Sequence, residues 1–137
     1  MRTVIVDTGP LLAFLDRSDR HSAWCKSVFS RFSAPFVTCE PVITETSFLL
    51  GRAKLDYTLP LQLIEQNLLV IDFSLSKEMA RLRELMLQYR NVPMSLADAC
   101  LVRMAEYSDD NLIITLDSDF LVYRIHGNKP ISVLIPE

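Results

Sequence analysis

Glycine and cysteine are scarce in this chain, and their scarcity excludes several kinds of site. Only three of the 137 residues are glycine, so the sequence contains neither a G-x-G-x-x-G dinucleotide fingerprint nor a P-loop. The three cysteines form no C-x-x-C pair, which argues against a zinc site built on cysteine spacing and against a disulfide scaffold. We therefore expect reduced, mostly buried thiols of the kind found in the cytosol.

Long hydrophobic runs and an excess of positive charge are also missing. The longest unbroken apolar run is Leu11–Leu15, whereas a membrane-spanning helix needs about 20 such residues. Asp7 interrupts the apolar start of the chain, so no signal-peptide pattern is present and we expect a cytoplasmic protein. The formal net charge of −3 gives by itself no reason to expect nucleic-acid binding.

The length and apolar content predict a single globular domain over residues 1–137. Half of the residues are hydrophobic, which suffices for a core. Short apolar runs alternate with longer helical patterns. The predicted strands are Thr3–Val6, Phe36–Thr38, Leu69–Ile71, Leu112–Leu116 and Ile131–Ile135. The predicted helices are Leu11–Leu15, His21–Phe32, Pro41–Leu55, Leu59–Asn67, Leu75–Tyr89 and Ser95–Tyr107.

This alternation predicts an α/β fold, with a mainly parallel sheet between helices on both faces. Sheets of this kind place their functional sites beyond the carboxyl ends of the strands. Asp7 directly follows the first predicted strand and Asp117 follows the fourth, so we expect both at one edge of the sheet. The alternative roles are a turn or cap residue at Asp7 and a helix N-cap at Asp117.

Two further acids are predicted to face inward from helices. On a helical wheel Glu45 lies between Phe48 and Leu49 in angle. Asp98 lies on the same side as Leu101. An inward carboxylate costs free energy unless a cation or a hydrogen-bond donor pairs with it. The alternatives are a tolerated half-buried acid at Glu45 and a helix N-terminal cap at Asp98.

Together these four acids indicate a metal site. Clustered carboxylates repel one another unless a cation neutralises them, and hard oxygen ligands suit Mg²⁺ or Mn²⁺ better than zinc. A divalent ion held in this way activates water and stabilises the charge that develops on a phosphodiester. The residues therefore predict metal-assisted phosphoester hydrolysis.

The chain resembles the PIN-domain proteins, and most closely the VapC-type ribonuclease toxins of toxin–antitoxin pairs. The segments that carry the resemblance are Val4–Ala13, Ile43–Thr46, Ser95–Ala99 and Thr115–Phe120. The resemblance implies a compact three-layer α/β/α fold with a central, mainly parallel sheet. It also implies an endoribonuclease that depends on Mg²⁺ or Mn²⁺.

The resemblance assigns roles to individual acids of this chain. It places the metal-binding acids, in chain order, at Asp7, Glu45, Asp98 and Asp117. Asp119 is implied as a further catalytic acid, which acts through the metal shell or a bound water. Thr8 and Thr115 are additional candidates to orient a carboxylate or a water molecule.

The partners implied by the resemblance are an RNA substrate, a small antitoxin that covers the acidic pocket, and a second copy in a homodimer. A housekeeping RNA-processing nuclease and a non-catalytic PIN-like binding module remain alternatives. RNA must then approach an acidic pocket, and a basic rim would help it. The candidates for that rim, with ordinary solvated charges as the alternative, are Arg17, Arg20, Arg81, Arg83 and Arg90.

Overall fold

The protein consists of short strands joined mostly by helices. The computed structural model describes residues 2–137. The strands, in chain order, are β1 (Val4–Val6), β2 (Phe36–Thr38), β3 (Leu69–Ile71), β4 (Leu112–Ile114), β5 (Arg124–Ile125), β6 (Lys129–Pro130) and β7 (Ser132–Leu134). The α-helices are α1 (Thr8–Leu15), α2 (Ser22–Phe29), α3 (Glu40–Arg52), α4 (Leu59–Glu65), α5 (Met79–Gln88) and α6 (Leu96–Ala105). Two 3₁₀ helices cover Leu75–Glu78 and Ser118–Leu121.

Five of the strands form one sheet in the order β3-β2-β1-β4-β7, and every neighbouring pair is parallel. Ile5 in β1 is in register with Val37 on one side and with Ile113 on the other. The chain passes from β1 through β2 to β3 in one direction, and then returns to place β4 and β7 on the other side of β1. The carboxyl ends of β1 and β4 therefore meet where the strand order reverses, which is the expected place for a site.

Helices cover both faces of the sheet. Alternate strand residues point to opposite sides, so both faces carry apolar side chains that pack against helices. Val4 and Ile114 pack with Val28 of α2 on one face. Ile5 and Ile113 belong to the main core cluster together with Leu101 of α6. The α/β fold with a mainly parallel sheet between helices is confirmed.

Helix α6 is the most deeply buried helix of the protein. Seven of its ten residues are buried, and they are Ala97, Ala99, Cys100, Leu101, Val102, Met104 and Ala105. A helix that is apolar on nearly all sides belongs in the interior. Asp98 lies in the first turn of this buried helix.

Several predicted elements differ from the observed ones. Helix α1 begins at Thr8 instead of Leu11, because the side chain of Asp7 caps it. The predicted helix Leu75–Tyr89 starts as the 3₁₀ helix Leu75–Glu78 and becomes α-helical only from Met79. The antiparallel β5–β6 hairpin was not predicted, since strands of two residues carry no readable alternation. No helix within residues 2–137 has the length and apolar character needed to cross a membrane.

Candidate metal centre

Asp7 lies at the carboxyl end of β1 and is held at both carboxylate oxygens. The backbone N–H of Thr8 donates to Oδ1 at 2.7 Å, and the hydroxyl of Thr115 donates to Oδ2 at 2.7 Å. The backbone N–H of Asp7 donates to the carbonyl of Ile114 at 3.1 Å, so the sheet ladder continues to the acid itself. The side chain caps α1 and remains only 7% exposed.

The electrostatic environment of Asp7 disfavours its ionised form. Burial raises the pKa of Asp7 from 3.8 to about 6, against the lowering effect of its two hydrogen bonds. The negative charges of Asp98 and Asp117 raise this pKa further, which places three carboxylates within electrostatic reach of one another. A cation placed near these carboxylates would favour their ionised forms.

Asp98 projects from the first turn of α6, and its position is defined by two hydroxyl groups. The Oγ of Ser95 accepts the backbone N–H of Asp98 at 3.0 Å and caps the helix. The hydroxyl of Tyr123 donates to Oδ2 of Asp98 at 2.8 Å. Burial raises the pKa of Asp98, the hydrogen bonds oppose that rise, and the nearby charges of Asp117 and Asp119 add to it.

Asp117 and Asp119 share a tight turn after β4. The backbone N–H of Asp117 donates to the Oγ1 of Thr115 at 3.0 Å. The backbone N–H of Asp119 donates to Oδ1 of Asp117 at 2.9 Å, so Asp117 caps the 3₁₀ helix Ser118–Leu121. The turn brings both carboxylates towards Asp98, and ligand oxygens of these three acids lie within 4.8 Å of one another.

The cap roles and the site roles of these acids are therefore compatible. Asp7 caps α1 and Asp117 caps a 3₁₀ helix, while Asp98 sits in the capped first turn of α6. Thr115 connects two of them, since its buried hydroxyl donates to Asp7 and accepts from the backbone of Asp117. The carboxylates of Asp7 and Asp117 are therefore each held by a backbone N–H.

Glu45 lines the same cleft but does not face the core. The expected inward orientation of Glu45 is wrong, because its side chain is exposed and the neighbouring Phe48 is 62% exposed. Helix α3 buries the opposite stripe, which includes Val42, Thr46 and Leu50. Glu45 consequently stands at the rim of the cleft and outside the three-acid cluster.

The cleft itself is open and acidic. It has a volume of about 580 Å³, and all five predicted acids line it: Asp7, Glu45, Asp98, Asp117 and Asp119. Among the described residues that line it, none is lysine, arginine or histidine. Its negative charge is thus left uncompensated by basic side chains of the cleft wall.

The donor chemistry of the cleft fits a hard divalent cation. Carboxylate oxygens are the ligands that Mg²⁺ and Mn²⁺ prefer. Thr8 also lines the cleft, and its Oγ1 is buried without a hydrogen-bond partner in residues 2–137. A buried hydroxyl without a partner costs free energy, and a metal-bound water in the cleft would provide the missing partner.

One sequence expectation near the cleft needs revision, and one residue of the site was missed. Arg81 was a candidate for a basic rim, but its guanidinium is paired with Glu106 at 2.6 Å and with Glu84 at 3.3 Å. Tyr123 was missed, although a buried tyrosine hydroxyl usually has a polar partner and so signals a nearby acceptor. Its partner, Asp98, lies 25 residues earlier in the chain.

The raised pKa of Asp7 makes the stability of the metal-free protein depend on pH. The unfolded carboxyl ionises near its ordinary pKa of 3.8, whereas the folded one keeps its proton up to about pH 6. The folded state therefore binds more protons in this window, and this contribution to the free energy of unfolding falls as the pH rises. Asp7→Asn removes the contribution, which is at most about 3 kcal/mol for such a shift.

Urea unfolding in metal-free buffer at about pH 4 and about pH 7 measures this effect. We expect the stability of Asp7→Asn relative to the wild type to increase between the two conditions. The hydrogen bond from Thr115 is stronger to the ionised carboxylate, and this difference is already contained in the shifted pKa of Asp7. An equal difference at both pH values would contradict the raised pKa.

Comparisons with known proteins agree with this architecture. The model of the PIN-domain family matches residues 4–125. No curated protein matches the chain. The structure is similar to the crystal structure of Mycobacterium tuberculosis VapC20, a sarcin-ricin-loop-cleaving toxin, with a TM-score of 0.73 and 17% sequence identity. The similarity covers 85% of this chain and 92% of that one, and it is a similarity of fold. The chain thus belongs to the PIN-domain family.

Proposed function

We propose that this protein is a metal-dependent endoribonuclease that hydrolyses RNA phosphodiester bonds. The observation that carries the proposal is the cluster of Asp98, Asp117 and Asp119, whose ligand oxygens lie within 4.8 Å of one another. Its negative charge faces a cleft in which the lining residues, within 2–137, include no lysine, arginine or histidine. Membership of the PIN-domain family and the fold shared with VapC20 support the same activity.

The proposed site residues divide into two groups. Asp98, Asp117 and Asp119 would hold Mg²⁺ or Mn²⁺, so Asp119 would bind more directly than the resemblance implies. Asp7, which the resemblance also makes a ligand, lines the cleft beside them. Glu45 would act from the rim, where an exposed carboxylate can reach a metal-bound water. A cation held there would lower the pKa of a bound water and would stabilise the charge on the phosphodiester oxygens.

The residues of the chain itself prepare this chemistry. Thr115 and the backbone of Thr8 hold both oxygens of Asp7, so the carboxylate cannot rotate away from the cleft. The turn hydrogen bond from Asp119 to Asp117 keeps two like charges together despite their repulsion. Preorganised charges of this kind avoid the cost of reorganisation during the reaction.

We further propose that the biological role is that of a toxin in a toxin–antitoxin pair, with a small antitoxin covering the cleft. The resemblance to VapC-type toxins, carried by the four sequence segments named above, supports this role. A second copy of the chain is the proposed partner in a homodimer. Large apolar side chains exposed on and near α3 and α4, such as Phe48, Tyr57 and Leu61, support an interface.

Light scattering of the purified protein tests the homodimer. We expect a mass of twice 15.7 kDa at micromolar concentration. Tyr57→Glu, which places a charge among the exposed apolar residues, should shift the mass towards the monomer if that surface forms the interface. A wild-type mass of 15.7 kDa would contradict the homodimer.

Cleavage of RNA by purified protein, free of any bound antitoxin, tests the enzymatic proposal. We expect cleavage with Mg²⁺ or Mn²⁺, none with EDTA, and no cleavage of DNA of the same sequence. Asp98→Asn should reduce the rate at least about 100-fold. Removing a residue that only hydrogen-bonds to a metal ligand costs up to about 100-fold, and loss of the ligand itself should cost at least as much. Asp110→Asn is the matched control, since Asp110 is an exposed acid that does not line the cleft.

Three outcomes of this experiment would contradict the proposal in different ways. Full activity in Asp98→Asn would show that the metal site is assigned wrongly. Cleavage that continues in EDTA would contradict metal dependence. A protein that neither cleaves RNA nor binds Mn²⁺ would be better described as a non-catalytic binding module.

A pair of charge-neutralising variants separates the three-acid cluster from the rim. Asp119 lies in the cluster, whereas Glu45 lines the cleft outside it. We expect Asp119→Asn to weaken Mn²⁺ affinity by about 10-fold or more, and Glu45→Gln to weaken it less. Titration calorimetry measures both affinities. A larger loss in Glu45→Gln would place the primary ligand at the rim.

A further inference from the structure

Tyr123 is bonded to both of the segments that carry the acid cluster. Its hydroxyl donates to Oδ2 of Asp98 on α6 at 2.8 Å. Its backbone N–H donates to the carbonyl of Asp119 at 3.2 Å. A single residue therefore joins the first turn of α6 to the turn that follows β4.

The ring of Tyr123 is held in place by aromatic contacts and complete burial. Its relative exposure is 0%, so water does not compete for the hydroxyl. Phe120 packs edge to face against it at a centroid distance of 5.2 Å, and Tyr89 does so at 5.0 Å. The hydroxyl of Tyr89 accepts the backbone N–H of Arg124 at 3.0 Å, which anchors that ring in turn. The Tyr123 hydroxyl is thus a donor with a fixed direction.

A neutral donor suits this position better than a charged one. Asp98 is partly buried beside two other carboxylates, and repulsion favours rotation of its side chain away from them. A hydrogen bond to one oxygen opposes that rotation and leaves the other oxygen for a cation. A lysine or arginine in the same place would neutralise the charge that attracts the cation. Hydrogen bonds that orient ligands in this way commonly set metal affinity.

We propose that Tyr123 is a positioning residue of the metal site, which orients the Asp98 carboxylate and holds α6 against the turn that carries Asp117 and Asp119. The inference rests on the proposed metal site. Tyr123 acts through Asp98 and touches neither substrate nor reacting atoms.

Tyr123→Phe tests the inference, because it keeps the ring and its packing and removes only the hydroxyl. Tyr89→Phe is the matched control, since it removes a neighbouring hydroxyl that bonds to the backbone of Arg124 and not to an acid. Electron paramagnetic resonance of Mn²⁺ gives both the affinity and the spectrum of the bound ion. We expect Tyr123→Phe to weaken Mn²⁺ binding about 10-fold and to alter the spectrum, with Tyr89→Phe close to the wild type.

Thermal unfolding in EDTA establishes that both variants fold before their metal affinities are compared. Unchanged Mn²⁺ affinity in Tyr123→Phe, or an equal loss in Tyr89→Phe, would overturn the inference. If the wild type binds Mn²⁺, Asp98→Asn loses it and Tyr123→Phe does not, the inference fails while the proposed function stands. A wild type that binds no Mn²⁺ overturns both.

Discussion

Electrostatic repulsion among carboxylates is the main constraint on the structure at the carboxyl ends of β1 and β4. Asp98, Asp117 and Asp119 lie close together, and Asp7 is within electrostatic reach of two of them. Burial and the neighbouring charges raise the pKa of Asp7 and the pKa of Asp98, so other contacts must hold these carboxylates in place. Hydrogen bonds from the hydroxyls of Thr115 and Tyr123 and from the backbone do so, and each donor is neutral. These donors orient the acids without neutralising their charge.

The fold makes this arrangement possible by bringing distant segments to one edge of the sheet. β1 and β4 are neighbours in parallel register, so Asp7 and the Asp117 turn emerge side by side. Helix α6 is buried on nearly all sides and presents Asp98 to the same point. The acidic cluster by itself lowers the free energy of unfolding. Burial of the strands and of α6 raises that free energy and so offsets the cost.

Much of this arrangement was predictable from the sequence, because it follows from strand ends and helix periodicity. The β-branched runs predicted β1 and β4. Asp7 and Asp117 were expected at one edge of the sheet because each directly follows one of these predicted parallel strands. The helical wheel predicted that Asp98 faces inward, and the side chain is partly buried because α6 is apolar around most of its circumference. The same reasoning failed for Glu45, since a wheel gives angles between residues and not the side of α3 that packs inward.

Contacts between distant segments were beyond the reach of pattern analysis. The bond between Tyr123 and Asp98 spans 25 residues, and the ion pairs that occupy Arg81 depend on how α5 packs against α6. The short β5–β6 hairpin leaves no periodic signal. His126 at its turn has a positive φ, and its ring contacts Asp109 and the carbonyl of Glu106, which are distant in the chain. Tertiary packing decides features of this kind after local propensity has been satisfied.

The most direct test of the central claim is the location of the metal itself. Crystals of the protein grown with Mn²⁺ would give an anomalous difference map in which the ion stands out from protein atoms. The metal-site account predicts a peak within coordination distance of the carboxylates of Asp98, Asp117 and Asp119, about 2.0 to 2.3 Å from their oxygens. A peak elsewhere, or an empty cleft at saturating Mn²⁺, would contradict it.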